Sequence, residues 1–329
     1  PTADTEADDE PLTFLAEAPE EGAPAKAPQT EPEVKAPEPT RLGPVQERLL
    51  QLDEVIRRVG DEVSRHGDEI CYFFTKGGKR IALRCGVHDG RWAYLERRLR
   101  LDPQTLQGKP TGRLSLLYAL NAINSAALGL RCILDDDRLR IRRSIYLPQH
   151  LGDATLRVAC TRLLRESDRA LQALSSVRRG TPWPIPTEDL RSEPTPAEEL
   201  SDVAGELKAA GSVVREVDHS VLSGLGPEAV RFTWEGGELQ ASHAVHAWKA
   251  PTAWNHALLS EPSPAAEALV EDLNQRNRTG AYALSWVPEG VQASIALSPH
   301  QCDRAALLAA IYVLRKASSL ESFPSLRKE

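Results

Sequence analysis

From Arg138 to Leu147 the chain reads Arg-Leu-Arg-Ile-Arg-Arg-Ser-Ile-Tyr-Leu, the alternation of a β-strand with two unlike faces. Leu139, Ile141, Ile145 and Leu147 fall on one face, and Arg138, Arg140 and Arg142 on the other. Guanidinium groups two residues apart recur about every 7 Å, a ladder suited to carboxylates or phosphates. The plainer alternative is a solvated face answered by the Asp135-Asp136-Asp137 turn. Arg143 breaks the pattern, because alternation puts it on the apolar face, where its counterpart later in the chain is Ala293. Either a β-bulge turns it outward, or it is buried and needs an acidic partner. A helix predicted from Asp153 to about Val177 adds Arg157, Arg162, Arg165 and Arg169. These eight arginines are the candidate partner-binding residues.

Other chemistry is thin. His243-Ala244-Val245-His246 has the look of a metal pair, but i and i+3 on a strand face opposite sides, and no third ligand is evident. The Gly-Gly pairs at 77–78 and 236–237 lack the Lys-Ser/Thr of a phosphate loop. No Gly-x-Ser-x-Gly or Cys–His signature occurs. The acidic turn at 135–137 lacks the glycine and distal Glu of a calcium loop. The expectation is a non-enzymatic protein without metal or cofactor. Five cysteines, odd in number and without a close pair, suit buried thiols in a reducing compartment. The absence of Met has no physical account.

Charge is strongly segregated within a net of −7. Residues 1–40 carry 11 acidic and 2 basic side chains, residues 41–179 carry 26 basic and 16 acidic, and residues 180–329 carry 12 basic and 20 acidic. Of the 26 basic residues in the middle, 23 are Arg, which meets the electrostatic requirement for nucleic acid. No nucleic-acid-binding motif accompanies them, and the chain's own acidic segments are an equally simple partner. No apolar run approaches 18 residues and no secretory signal is visible, so the expected location is the cytoplasm, with no membrane partner.

The elements that must position these residues occur twice. Leu120-Asn121-Ala122-Ile123-Asn124 and Leu273-Asn274-Gln275-Arg276-Asn277 both read Leu-Asn-x-x-Asn at the end of an apolar helix. Ser144-Ile145-Tyr146-Leu147 matches Ser294-Ile295-Ala296-Leu297, and Leu164-Arg165 matches Leu314-Arg315. A period near 150 residues is too long for a solenoid and implies two copies of one domain. The expected fold is α+β: two tandem α-β-β-β-α-β-β-α domains, each an antiparallel sheet against helices. Domain one covers 44–179 and is basic; domain two covers 197–323 and is acidic and Trp-rich. Helices are expected over 45–66, Gly112–Ala127, Asp153–Val177, Ala197–Ala210, Pro264–Arg278 and Asp303–Ser319. The strands of copy two are expected at Ser212–Ser220, Ala229–Trp234, Glu238–Trp248, Ala281–Val287 and Val291–Leu297.

Residues 1–43 form an acidic, Pro-rich tail expected to be disordered. Its one apolar stretch, Leu12-Thr13-Phe14-Leu15, is a short docking motif or part of a solubilising spacer. Residues 180–196 read as a linker. Trp183 in that linker, with Trp248 and Trp254, forms the candidate interface set.

The Leu-Asn-x-x-Asn helix, the hairpin with an acidic turn, the strand ending near Pro148 and the Asp153 helix together resemble YbjN-type domains, which are similar in fold to type III secretion chaperones. Copy one, over about 112–177, carries the resemblance best; in copy two Pro288-Glu289-Gly290 replaces the acidic turn. The resemblance implies binding rather than catalysis: dimerisation, and the holding of partner-protein segments. Two fused copies then form an intramolecular pseudo-dimer, or the chain forms a homodimer.

Overall fold

The computed structural model describes residues 14–16, 43–101, 111–126, 129–148, 150–175, 200–235, 237–247, 264–287 and 289–319. The elements of copy one are β1 (Phe14–Ala16), α1 (Pro44–Val59), β2 (Asp61–His66), β3 (Glu69–Lys76), β4 (Lys79–Asp89), β5 (Trp92–Leu101), α2 (Thr111–Ala126), β6 (Leu130–Asp135), β7 (Arg138–Tyr146) and α3 (Asp153–Ser175). Copy two follows with α4 (Leu200–Ala209), β8 (Val214–Val217), β9 (Ser220–Ser223), β10 (Val230–Glu235), β11 (Glu238–Ala247), α5 (Pro264–Asn277), β12 (Ala283–Val287), β13 (Gly290–Leu297) and α6 (Arg304–Ser319). The class is α+β, with two antiparallel sheets of matching order: β2-β3-β4-β5-β7-β6 and β8-β9-β10-β11-β13-β12.

Leaving aside the three-residue β1, each copy holds one strand more than expected, and each sheet starts from a largely exposed edge strand, β2 or β8. The helix predicted to reach residue 66 stops at Val59, because Gly60 abuts the Tyr72 ring, where a Cβ would lie 2.6 Å from Cδ2. Asp61–His66 is then β2, exposed at five of its six positions, so no apolar alternation announces it. In copy two the single strand expected at 212–220 is a hairpin, turned at Asp218 (φ 47) between Val217 and Ser220. Aspartate tolerates that left-handed conformation, but without glycine the turn is hard to see in the sequence. Gly77 and Gly78 make the turn between β3 and β4, both having positive φ (56 and 76) as a two-residue hairpin needs.

In copy one, Leu49, Leu52, Ile56 and Val59 of α1 and Leu156, Leu163, Leu164 and Leu174 of α3 are buried in the core with Ile70, Tyr72, Leu83, Leu95 and Ile141. In copy two the apolar α6 packs on β11, β13 and β10 of its own sheet, burying Ala306, Leu307, Ala310 and Leu314. Helix α2 is different. It lies against β6 of its own sheet and β12 of the other, beside α5, which likewise touches both strands. Leu116 to Ile123 are buried without interruption, as a helix enclosed on every side requires.

Candidate functional site

An asparagine side chain carries one donor and one acceptor, and so can bond both backbone groups of one edge-strand residue, as a neighbouring strand would. The two Leu-Asn-x-x-Asn motifs use this four times. Asn124 Nδ2 donates to Cys132 O (3.0 Å) and Oδ1 accepts from Cys132 N–H (2.6 Å), inside copy one. Asn277 repeats the pattern on Leu284 inside copy two, at 2.9 and 2.7 Å. The first asparagine of each motif crosses over. Asn121 bonds Trp286 O and N–H at 3.2 and 2.8 Å, while Asn274 bonds Leu134 O and N–H at 2.9 and 2.8 Å. Edge strands β6 and β12 are each capped once in cis and once from the other copy. Arg113 of α2 and Glu271 of α5 add an ion pair at 2.8 Å. Tyr118 sets its ring 6.4 Å from that of Trp286.

A buried charge cluster closes the other side of the seam. Strand β7 keeps continuous register through Arg143, opposite Leu95 and Leu130, so no bulge turns this side chain outward. It stays on the apolar face and meets Glu238 of copy two and, at 2.8 Å, Glu166 of α3. Arg162 of α3 pairs with the same Glu238 carboxylate and donates to Gly237 O at 3.1 Å. Burial pushes Arg143 down, but Glu238 and Glu166 outweigh it and the net shift is upward. Burial pushes Glu166 up, with Arg143 opposing. Gly129 lets the copies meet here: it has φ +78, and a Cβ on it would lie 2.5 Å from that of Ala296.

The opposite face of the basic sheet centres on Glu96, which is fully buried. Arg142 donates to it through Nε (2.7 Å), Arg140 approaches at 3.0 Å, and Arg98 is also paired with it. Burial favours the neutral acid, but Arg142, Arg140 and Arg98 hold the carboxyl down at about 2. Arg142 also lies 4.0 Å over the Tyr94 ring and donates to Arg278 O of copy two (2.9 Å). Arg278 in turn reaches Asp135 at 3.1 Å. Buried Arg131 bonds Tyr282 O of copy two and His88 Nε2, each at 3.1 Å.

Burial, then Arg131 and Arg142, push the His88 imidazole down to about 2. Its folded value lies below the ordinary 6.5, so this contribution to stability is complete above pH 6.5 and declines as pH falls toward 2. The unfolding free energy of the wild type should therefore fall between pH 6.5 and 5 with a slope of about one proton more than that of His88→Gln. Parallel profiles in urea titrations would contradict this account of His88.

The ladder expected to face a partner is largely answered within the fold. Arg140 and Arg142 converge on Glu96, which no spacing rule pointed to, while Asp135 and Asp137 of the acidic turn meet Arg140 and Arg138. Arg142 and Arg143 are buried and Arg162 is partly covered. Arg157 donates to Arg58 O at 2.9 Å, and it, Arg165 and Arg169 are exposed. Trp183, Trp248 and Trp254 lie outside the described residues, as does the 180–196 linker. Among the described residues the tryptophan in the seam is Trp286, and its signal was its place beside the second motif's hairpin. His243 is buried with Nδ1 3.1 Å from Ala229 O, and His246 is exposed. Among the described residues no group of three or more His, Cys, Asp or Glu could hold a metal. The thiols of Cys71, Cys85, Cys132 and Cys160 are buried, and burial raises each of them.

One notch in the basic sheet is filled by a distant piece of chain. Strand β7 pairs with β5 from Trp92 to Arg100, but β4 pairs with it only as far as Glu96, opposite Arg84. Beyond that point β4 pairs with β3 alone, down to the Lys76–Lys79 turn. The side of β5 left open past Glu96 takes β1, antiparallel, with Phe14 opposite Leu101, Leu15 opposite Arg100 and Ala16 opposite Leu99. The docking stretch named from the sequence thus overlaps a strand on the chain's own sheet.

No family model matches the chain, and no curated protein or solved structure shows significant similarity to it.

Proposed function

We propose that this is a non-enzymatic adaptor of the cytoplasm, an intramolecular pseudo-dimer that holds extended segments of partner proteins in the manner of YbjN-type and type III secretion chaperone domains. The observation that carries this reading is the seating of Phe14–Ala16 on the open side of β5. A sheet edge binds a segment through backbone groups and draws selectivity from its surroundings. Here the surroundings carry Arg100 on β5 and Arg138 opposite it on β7, both reaching solvent, whereas Arg97 is held by Asp168 and Arg98 by Glu96 and Glu69. The reciprocal asparagine caps support the pseudo-dimer, since they leave β6 and β12 capped without a second chain. No helix among the described residues is long and apolar enough to cross a membrane.

The competing reading, nucleic-acid binding by the Arg-rich domain, is less favoured because Arg140, Arg142 and Arg143 meet Glu96 and Glu238 instead of facing outward. Panning a random-peptide display library on the full chain, beside titration with a duplex DNA oligomer over a range of salt, separates the two. Enriched peptides should carry alternating apolar residues among carboxylates. A steep salt-dependent affinity for the duplex, with no enriched peptide, would overturn the proposal.

A further inference from the structure

The tail strand β1 does not belong to the repeated fold. Residues 1–40 carry 11 carboxylates and 2 lysines, and β1 lies between Asp8, Asp9 and Glu10 on one side and Glu17, Glu20 and Glu21 on the other. The notch that receives it exists because β4 leaves β5 after Arg84, and β1 runs along β5 in the direction of β4, where Lys79–Ile81 would lie had β4 continued. The rim of that notch is cationic: Arg80 at the start of β4, Arg100 on β5, and Arg138 opposite it on β7. These side chains have modest internal partners. Arg100 and Arg138 share Asp137 at 3.2 and 3.8 Å, and Arg80 meets Glu62 at 2.5 Å, all with substantial exposure to solvent. Exposed pairs of this kind contribute little and can be exchanged for other carboxylates. A three-residue pairing is likewise short enough to be reversible, being well below the length of a self-sufficient strand.

We infer that the notch beside Leu99–Leu101 is an acceptor for acidic protein segments with a short apolar strand, and that the chain's own Phe14–Ala16 is its displaceable, autoinhibitory occupant. This rests on the reading that the protein holds segments, and it names the site, the chemistry of the segment and the gate. Because the occupant is tethered, it competes at an effective concentration of about 1 mM, so for an intrinsic Kd of about 10–100 μM a free segment of equal affinity binds about 10- to 100-fold more weakly while the tail is in place.

The test uses the full chain and a fluorescent peptide of residues 8–21. Adjacent residues of an antiparallel strand alternate between donating to the partner and not, so two variants are needed: Leu15→Pro, and Phe14→Pro with Ala16→Pro. At least one should bind the peptide 10-fold or more tighter than the wild type, with an affinity that weakens as salt is raised and an unchanged thermal midpoint. A disulfide across the opposed pair, in Leu15→Cys with Arg100→Cys, falls within the Cα separations that such a bond needs, and the oxidised form should bind the peptide at least 10-fold more weakly than the reduced form of the same variant, which already lacks the Arg100 cation. Equal binding by wild type and both proline variants would overturn the autoinhibition while leaving segment holding intact. No binding by any variant would overturn the acceptor site, and with it segment holding at this edge.

Discussion

Replacing Asn121 and Asn274 together with leucine should destabilise the chain by about 4 kcal/mol and separate the unfolding of its two copies. Each substitution keeps the branched skeleton of the side chain, at a larger volume, and removes two hydrogen bonds, leaving the N–H and C=O of Trp286 or of Leu134 without their partners. A buried backbone group stripped of its partner costs about 1–3 kcal/mol. Each single variant should lose about 2–3 kcal/mol, and the double somewhat less than the sum, because a loosened seam admits water to both sites. Urea unfolding of the wild type should be one transition and that of the double variant two, each with a lower denaturant dependence. The same change at Asn124 and Asn277 is the control: those residues cap strands of their own copies, so stability should fall without the copies uncoupling.

The second large effect lies at Glu238. Its carboxylate is shared by Arg143 and Arg162 across the seam, and both it and Arg143 are almost wholly buried. Glu238→Ala should cost about 3–5 kcal/mol, since it strands guanidinium groups away from water. Arg143→Leu should cost less, because Glu238 keeps Arg162. Arg143→Leu with Glu238→Leu should recover much of the loss, since replacing a buried pair with apolar side chains is often near neutral. A double-mutant cycle by chemical denaturation measures this. Additive losses would mean that the two groups do not act as a pair.

The architecture was legible where apolar periodicity is strong. Helices α2, α3, α5 and α6, the strands around them and the doubling itself follow from residues such as Leu117, Leu120, Leu164 and Leu314. Strand β2 was not legible, because an exposed edge is defined by its partner strand rather than by its own composition, and the strand expected over 212–220 concealed the turn at Asp218 that splits it into β8 and β9. The Leu-Asn-x-x-Asn motif was visible as a repeat, but its purpose was not. Nothing local distinguishes Asn124, which caps its own sheet, from Asn121, which reaches Trp286 in a segment 165 residues away. One sign was present: the apolar run Leu116 to Leu120 leaves α2 no solvated side, which a helix covering a single sheet would have. Arg143 was legible as a conflict, a charge on the apolar face, and Glu238 resolves it from the other copy. Of the two readings of the ladder, the plainer one matches Arg138 and Arg140, which meet the acidic turn, while Glu96 was not legible because charge on a strand face says nothing of what the adjacent strand contributes.

Backbone amide exchange at Leu134 and Trp286 tests the reciprocal seam most directly, because each N–H donates to an asparagine of the other copy. Asn274→Leu should accelerate exchange at Leu134 in copy one while sparing Leu284, which is capped by Asn277. Asn121→Leu should accelerate Trp286 in copy two while sparing Cys132, capped by Asn124. Exchange at Leu134 and Trp286 that is unchanged by either variant would contradict the account of two copies locked by crossed asparagine caps.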